Sequence, residues 1–152
     1  MAANFQQVKT YTIKPEYFFD ELRNPYFAQA LNIEMKSENY APGGLWFRFH
    51  HGVSFSSWGE KITITVVVLQ GGITQVTVHS ECGMPTQVFD WGKNSSNVTA
   101  IFNQLEAAVF ARYNQDMYAR NQAANSKCFC TKCGTQMLRS DKFCGKCGAP
   151  NK

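Results

Sequence analysis

Four cysteines near the carboxy end carry the plainest chemistry in this chain. Cys130-Thr131-Lys132-Cys133-Gly134 and Cys144-Gly145-Lys146-Cys147-Gly148 are two Cys-x-x-Cys-Gly hooks with ten residues between them. Thiolates are soft donors, and four of them suit one tetrahedral ion about 2.3 Å from each sulfur. The Cys-x-x-Cys turn lets two sulfurs reach the same ion. The glycine after the second cysteine permits the left-handed backbone that turns the chain back, and neighbouring N–H groups can then point at the sulfurs and steady them. The hooks also repeat one another: Phe129 to Thr135 aligns with Phe143 to Ala149, fourteen residues on, including the leading phenylalanine and the lysine inside each hook. The pattern predicts one structural Zn²⁺ held by Cys130, Cys133, Cys144 and Cys147. Iron is the alternative that the same four sulfurs admit.

Other thiol chemistries fit less well. A redox Cys-x-x-Cys sits at a helix N-terminus after a strand, and neither hook has that setting. Disulfides belong to oxidising compartments, and the start Met1-Ala-Ala-Asn-Phe-Gln-Gln has neither a basic region nor an apolar one. The longest apolar stretch, Ile62 to Leu69, is interrupted by Thr63 and Thr65 and is far below the roughly 20 residues that span a bilayer. The expectation is a cytoplasmic protein without a membrane segment. Cys128 reads as a free thiol, too close to Cys130 for both to bind one ion easily, and Cys82 as structural.

Residues 128–149 resemble the short zinc-ribbon domains at the ends of many bacterial and archaeal proteins. The likeness rests on the aromatic before each first cysteine, both hooks, and the closing Gly148-Ala149-Pro150. It implies the same four cysteines as ligands, and a role as nucleic-acid contact, protein contact or stabilising appendage. Phe129, Met137, Leu138 and Phe143 are too few to hold such a segment by burial alone, whereas structural zinc contributes on the order of 10–16 kcal/mol.

Charge is divided along the chain. Residues 1–126 carry nine Lys/Arg against ten Asp/Glu, and residues 127–152 carry six against one. The basic tail suggests a protein or nucleic-acid partner. Part of its charge answers the −2 centre that four thiolates make with Zn²⁺. Hydrophobic residues make up 44% of the chain, with twelve phenylalanines, so the rest of the chain can build a real core.

The elements that precede the hooks are legible from periodicity. A strand is expected over Phe5 to Ile13. Pro15 then opens a helix whose apolar stripe is Tyr17, Phe18, Leu22, Tyr26 and Phe27, interrupted by Pro25. Strands follow at Leu31 to Lys36, Leu45 to His51, Glu60 to Leu69 and Ile73 to Glu81, with turns at Pro42-Gly43-Gly44 and Gly71-Gly72. Alternation puts Ile62, Ile64, Val66, Val76 and Val78 inside, with Thr74 and Ser80 on the same face. It puts Trp46, Arg48, His50, Gln75, Thr77 and His79 on the other face, and sends His50 and His51 opposite ways. A loop from Asp90 to Asn94 leads to a long helix capped by Ser95 or Ser96, with Val98, Ile101, Phe102, Leu105, Val109 and Tyr113 on one side.

The fold class is therefore α+β. An antiparallel sheet with two helices over residues 1–118, in the order strand, helix, four strands, helix, is followed by a polar linker at 119–127 and the zinc ribbon at 128–152. The order resembles the topology of TATA-binding-protein-like domains over residues 4–118 and implies no functional residue. A helix-grip ligand-binding domain, normally richer in strands, is the rival, and it would make the N-terminal part a small-ligand carrier. No Ser/His/Asp or Cys/His order and no phosphate loop is present, so an enzyme is not expected. The least favoured reading pairs His50 or His79 with Asp90.

Overall fold

The computed structural model describes residues 3–52, 59–84 and 92–151. The chain divides into two compact units, Met1–Phe110 and Ala111–Lys152. In the first, β1 (Asn4–Tyr11), β2 (Ile33–Ala41), β3 (Gly44–His51), β4 (Glu60–Val68) and β5 (Thr74–Cys82) form one sheet in the order β1-β5-β4-β3-β2. Every neighbouring pair is antiparallel. Between β1 and β2 lie α1 (Pro15–Arg23) and α2 (Pro25–Ala30), and β5 is followed by α3 (Lys93–Ala124). The element order is the expected one, with the first helix broken in two. Pro25 cannot continue α1, and it starts α2 instead, with Asn24 Oδ1 accepting from Tyr26 N.

Register explains the core. Phe47, Ile64 and Val78 lie in one row across three strands, and Phe49, Ile62 and Ser80 in the next. All six are fully buried. Over them lie Phe18 and Leu22 of α1, Phe27 of α2, and Val98, Ile101, Phe102, Leu105 and Val109 of α3, all buried. Phe27 meets Phe49 edge-on with ring centroids 6.0 Å apart. Glu106 of α3 accepts from Tyr11 Oη at 2.7 Å and from Lys9 Nζ at 2.9 Å, which ties the β1 edge to the helix. The β2 edge is protected differently, by a bulge between Met35 and Ser37 and by the charges of Glu34, Lys36 and Glu38.

The two buried hydroxyls among the described residues are satisfied. Thr74 Oγ1 donates to Ile13 O at 2.6 Å and Ser80 Oγ to Asn94 Oδ1 at 2.7 Å. Gly44 marks the tightest backbone approach. A Cβ there would lie 2.0 Å from Val66 O and 2.8 Å from Val67 Cα, so no side chain fits without parting β3 from β4. Gly44→Ala should cost the sheet about 2–3 kcal/mol, read as a lower unfolding midpoint in a denaturant titration.

Three expectations are corrected. Tyr26 is 74% exposed and takes no part in the stripe, because the break at Pro25 resets the helical phase. The last helix begins at Lys93, ahead of Ser95 and Ser96, and its first turn includes Ser96 N donating to Gly92 O at 3.0 Å. Gly92, at φ 77°, turns the chain where a serine cap was expected. The stretch read as linker is helical as far as Ala124. It lacks an apolar face, but it is rich in Arg, Gln and Ala, good helix formers, and Gln122 Nε2 donates to Tyr118 Oη at 2.9 Å one turn back. Asp90 and Trp91, from the expected loop, lie outside the described residues.

In the second unit a hairpin of β6 (Lys127–Phe129) and β7 (Gln136–Leu138) follows the helix. Arg139 N donates to Ser126 O at 2.9 Å and Ser140 N to Ala124 O at 3.2 Å, fastening the hairpin to the chain just before it.

Candidate metal centre

Each hook closes in the same way. Gly134 N donates to Cys130 O and Gly148 N to Cys144 O, both at 2.8 Å. Cys130 N donates to Thr135 O at 2.9 Å and Cys144 N to Ala149 O at 2.8 Å. The two glycines stand at φ 71° and 70°, the left-handed conformation that a side chain would resist. The sequence repeat is thus a repeat of backbone geometry.

The repeat brings the four sulfurs together, all within 4.8 Å of one another. Cys130 Sγ lies 3.6 Å from Cys147 Sγ, and Cys133 Sγ lies 3.6 Å from Cys144 Sγ. An ideal tetrahedron with 2.3 Å metal–sulfur bonds has edges of about 3.8 Å. The donor set and spacing therefore fit one zinc ion, and these four cysteines would hold it. All four ligands being protein sulfurs, the ion supplies cross-linking and charge, with no open position for a substrate.

The zinc-ribbon domain family model matches residues 129–151. Residues 129–151 are a zinc ribbon. No curated protein matches the chain in sequence. Among solved structures the chain is similar to Ara h 8.0201, at 13% identity and TM-score 0.45, with 73% of this chain and 99% of that one covered. It is also similar to TTHA0849 from Thermus thermophilus, at 16% identity and TM-score 0.39, with 72% and 99% covered. A third likeness, to the 18 kDa protein CC1736 from Caulobacter crescentus, has 12% identity and TM-score 0.38, with 76% and 99% covered.

The ribbon's own core is very small. Cys130, Met137 and Cys144 are buried, with Cys128, Cys147 and Ala149 packed against them. Phe129 is 69% exposed and Phe143 63%. The four apolar residues expected to share burial therefore reduce to Met137, because the hairpin register directs Met137 inward beside Cys128 and leaves Phe129 and Leu138 outside. Cys128 lies outside the four-sulfur cluster and packs against its buried residues.

Backbone N–H groups do reach the sulfurs. Those of Cys133 and Lys132 lower the Cys130 thiol. The Thr135 hydroxyl, 3.3 Å away, and then the Thr135 N–H bring Cys133 down to about 6. At Cys147 the largest influence, the Ala149 N–H, also favours the thiolate. The Cys133 and Cys130 sulfurs and burial outweigh it and push Cys147 up to about 12. Without the ion the ribbon unfolds and its cysteines return to the ordinary thiol range, about 8.5, so zinc must displace their protons at neutral pH. Zinc affinity should rise more than tenfold per pH unit between about pH 6 and 8, where the unbound thiols are protonated. Competition with a zinc-binding dye across this range checks the slope.

The remaining candidates are scattered. His50 and His79 lie on the outer sheet face, separated by β4, and Arg48 stacks over Trp46 there with 5.1 Å from guanidinium to ring. His51 faces the core. Opposite it sits a residue that the sequence reading passed over. Glu60 is 1% exposed, and its carboxylate oxygens accept no hydrogen bond among the described residues. His51 Nδ1 lies 3.2 Å from one of them, near enough to attract but out of line for a hydrogen bond. Counting by twos from Ile62 gives the signal that was available, since Glu60 and Ile62 must share a face. Asn94 Nδ2 donates to Ala3 O at 2.9 Å and approaches Cys82 Sγ at 3.5 Å, so Cys82 is part of the packed sheet end. The pocket bordered by Leu31, Ile33, His51, Ile62, Asn97, Ala100 and Ile101 holds about 20 Å³, room for about one water. No helix among the described residues is long and apolar enough to cross a membrane.

Proposed function

We propose that this protein is a non-enzymatic binding module whose zinc ribbon presents a basic surface to an acidic protein or nucleic-acid partner. Charge placement is the observation that carries the reading. Residues 127–152 hold six Lys/Arg against one Asp/Glu. Lys127, Lys132, Arg139, Lys142 and Lys146 are all exposed. The lone acid, Asp141, is engaged locally, its Oδ2 accepting from Leu138 N at 2.9 Å. Four thiolates and Zn²⁺ offset two of the five net positive charges, and about three remain for a partner. A closed four-sulfur site has no chemistry of its own to offer a substrate, so its contribution is to hold that surface in shape.

Binding of a polyanion such as heparin, measured against ionic strength with and without residues 127–152, tests the reading. Loss of salt-dependent binding on deletion is expected. Thermal unfolding of the shortened chain verifies that the sheet persists. Binding that survives deletion would remove the ribbon from the role.

A further inference from the structure

The metal explains the cysteines and glycines of the repeated hook. It leaves two repeated positions unexplained, the phenylalanine before each hook and the lysine inside it. Phe129 and Phe143 each put most of their surface into solvent, at 69% and 63% exposure, and so add little to the ribbon's core. Exposed aromatic surface on so small a unit marks a contact site. Lys132 and Lys146 are exposed too, each three residues after its phenylalanine. Each half of the ribbon therefore offers one aromatic face and one cation, and the two halves repeat the offer.

We propose that Phe129 and Phe143 stack against successive bases of a single-stranded nucleic acid while Lys132 and Lys146 meet its phosphates, an inference that rests on the contact role given to the ribbon above. A repeated pair of aromatic face and positive charge matches a repeating polymer whose unit is one planar base and one phosphate. In a duplex the base faces are already stacked and closed to phenylalanine. An acidic peptide or a sulfated polysaccharide would use the lysines and leave the rings idle. Stacking is tolerant of sequence because every base has a π-face, so the binding should show little base preference.

The full-length zinc-loaded chain is titrated into a short labelled oligothymidylate, followed by fluorescence anisotropy, with the matching duplex and heparin as comparisons. The expected result is single-strand binding tighter than duplex binding. The variant F129L/F143L, which keeps apolar bulk but removes the aromatic face, should bind at least tenfold more weakly while keeping one zinc per chain. K132Q/K146Q should reduce the steepness of the log affinity against log salt plot by about 1.4, the value for two lost phosphate contacts on a single strand. The proposal is overturned if the wild-type chain does not bind the oligonucleotide, if the duplex binds as well, or if F129L/F143L binds like wild type. In the last case, heparin binding that still requires residues 127–152 would leave the general contact role standing without the stacking.

Discussion

Adding a strong chelator to this protein should unfold the ribbon completely while the five-stranded sheet stays folded. In an NMR spectrum, amide signals of residues 127–151 are expected to collapse into the narrow range of a disordered chain. Those of β3, β4 and β5 should not move. The asymmetry follows from what each unit buries. The ribbon's buried apolar residues beyond its ligands reduce to Met137, worth about 1.5–3 kcal/mol, whereas structural zinc contributes on the order of 10–16 kcal/mol at neutral pH. Cys144→Ser should reproduce the chelator's effect, because Cys144 is the most deeply buried ligand, at 2% exposure. A ribbon that kept dispersed signals with no ion bound would refute this account.

The second large effect belongs to the sheet. Phe49→Ala should cost about 3–5 kcal/mol, a large part of the roughly 5–15 kcal/mol that holds an ordinary domain together. Phe49 is fully buried, lies across from Ile62, and meets Phe27 at a steep ring angle. Its loss therefore opens a cavity beside Phe27 of α2. For a unit of this size, a fall of about 15–30 °C in melting temperature is expected. The same variant should still carry one zinc per chain, since the ligands and their backbone supports all lie within residues 130–149. Calorimetry and metal analysis on the same sample check both halves.

These two predictions draw on features that differ in how openly the sequence declares them. The metal site is encoded locally. Each hook needs only a few consecutive residues, and Gly134 and Gly148 adopt the conformation their position requires. The strands are legible because β-branched residues alternate through β4 and β5, and Pro25 announces the break between α1 and α2. What was hidden depends on long-range packing or on a cumulative preference. Tyr26 looked apolar and in phase, yet the new helix start turned it outward. The stretch from Asn114 to Ala124 has no stripe to reveal it, and many small helix preferences carry α3 through it. Glu60 was visible by parity alone, and that sign is easily overlooked at a strand end where chains usually emerge into water. The exposure of Phe129 and Phe143 ran against the ordinary assumption that aromatics in a small unit form its interior.

The near absence of hydrocarbon inside the ribbon makes its survival conditional on metal supply. A molecule emptied of its ion presents Lys127, Lys132, Arg139, Lys142 and Lys146 on slack chain, each followed by a bond open to trypsin-like proteases, which require an extended, accessible backbone. When zinc is scarce and such a protease is present, the basic end should be trimmed away while the sheet endures, so that metal supply would be written into the length of the polypeptide.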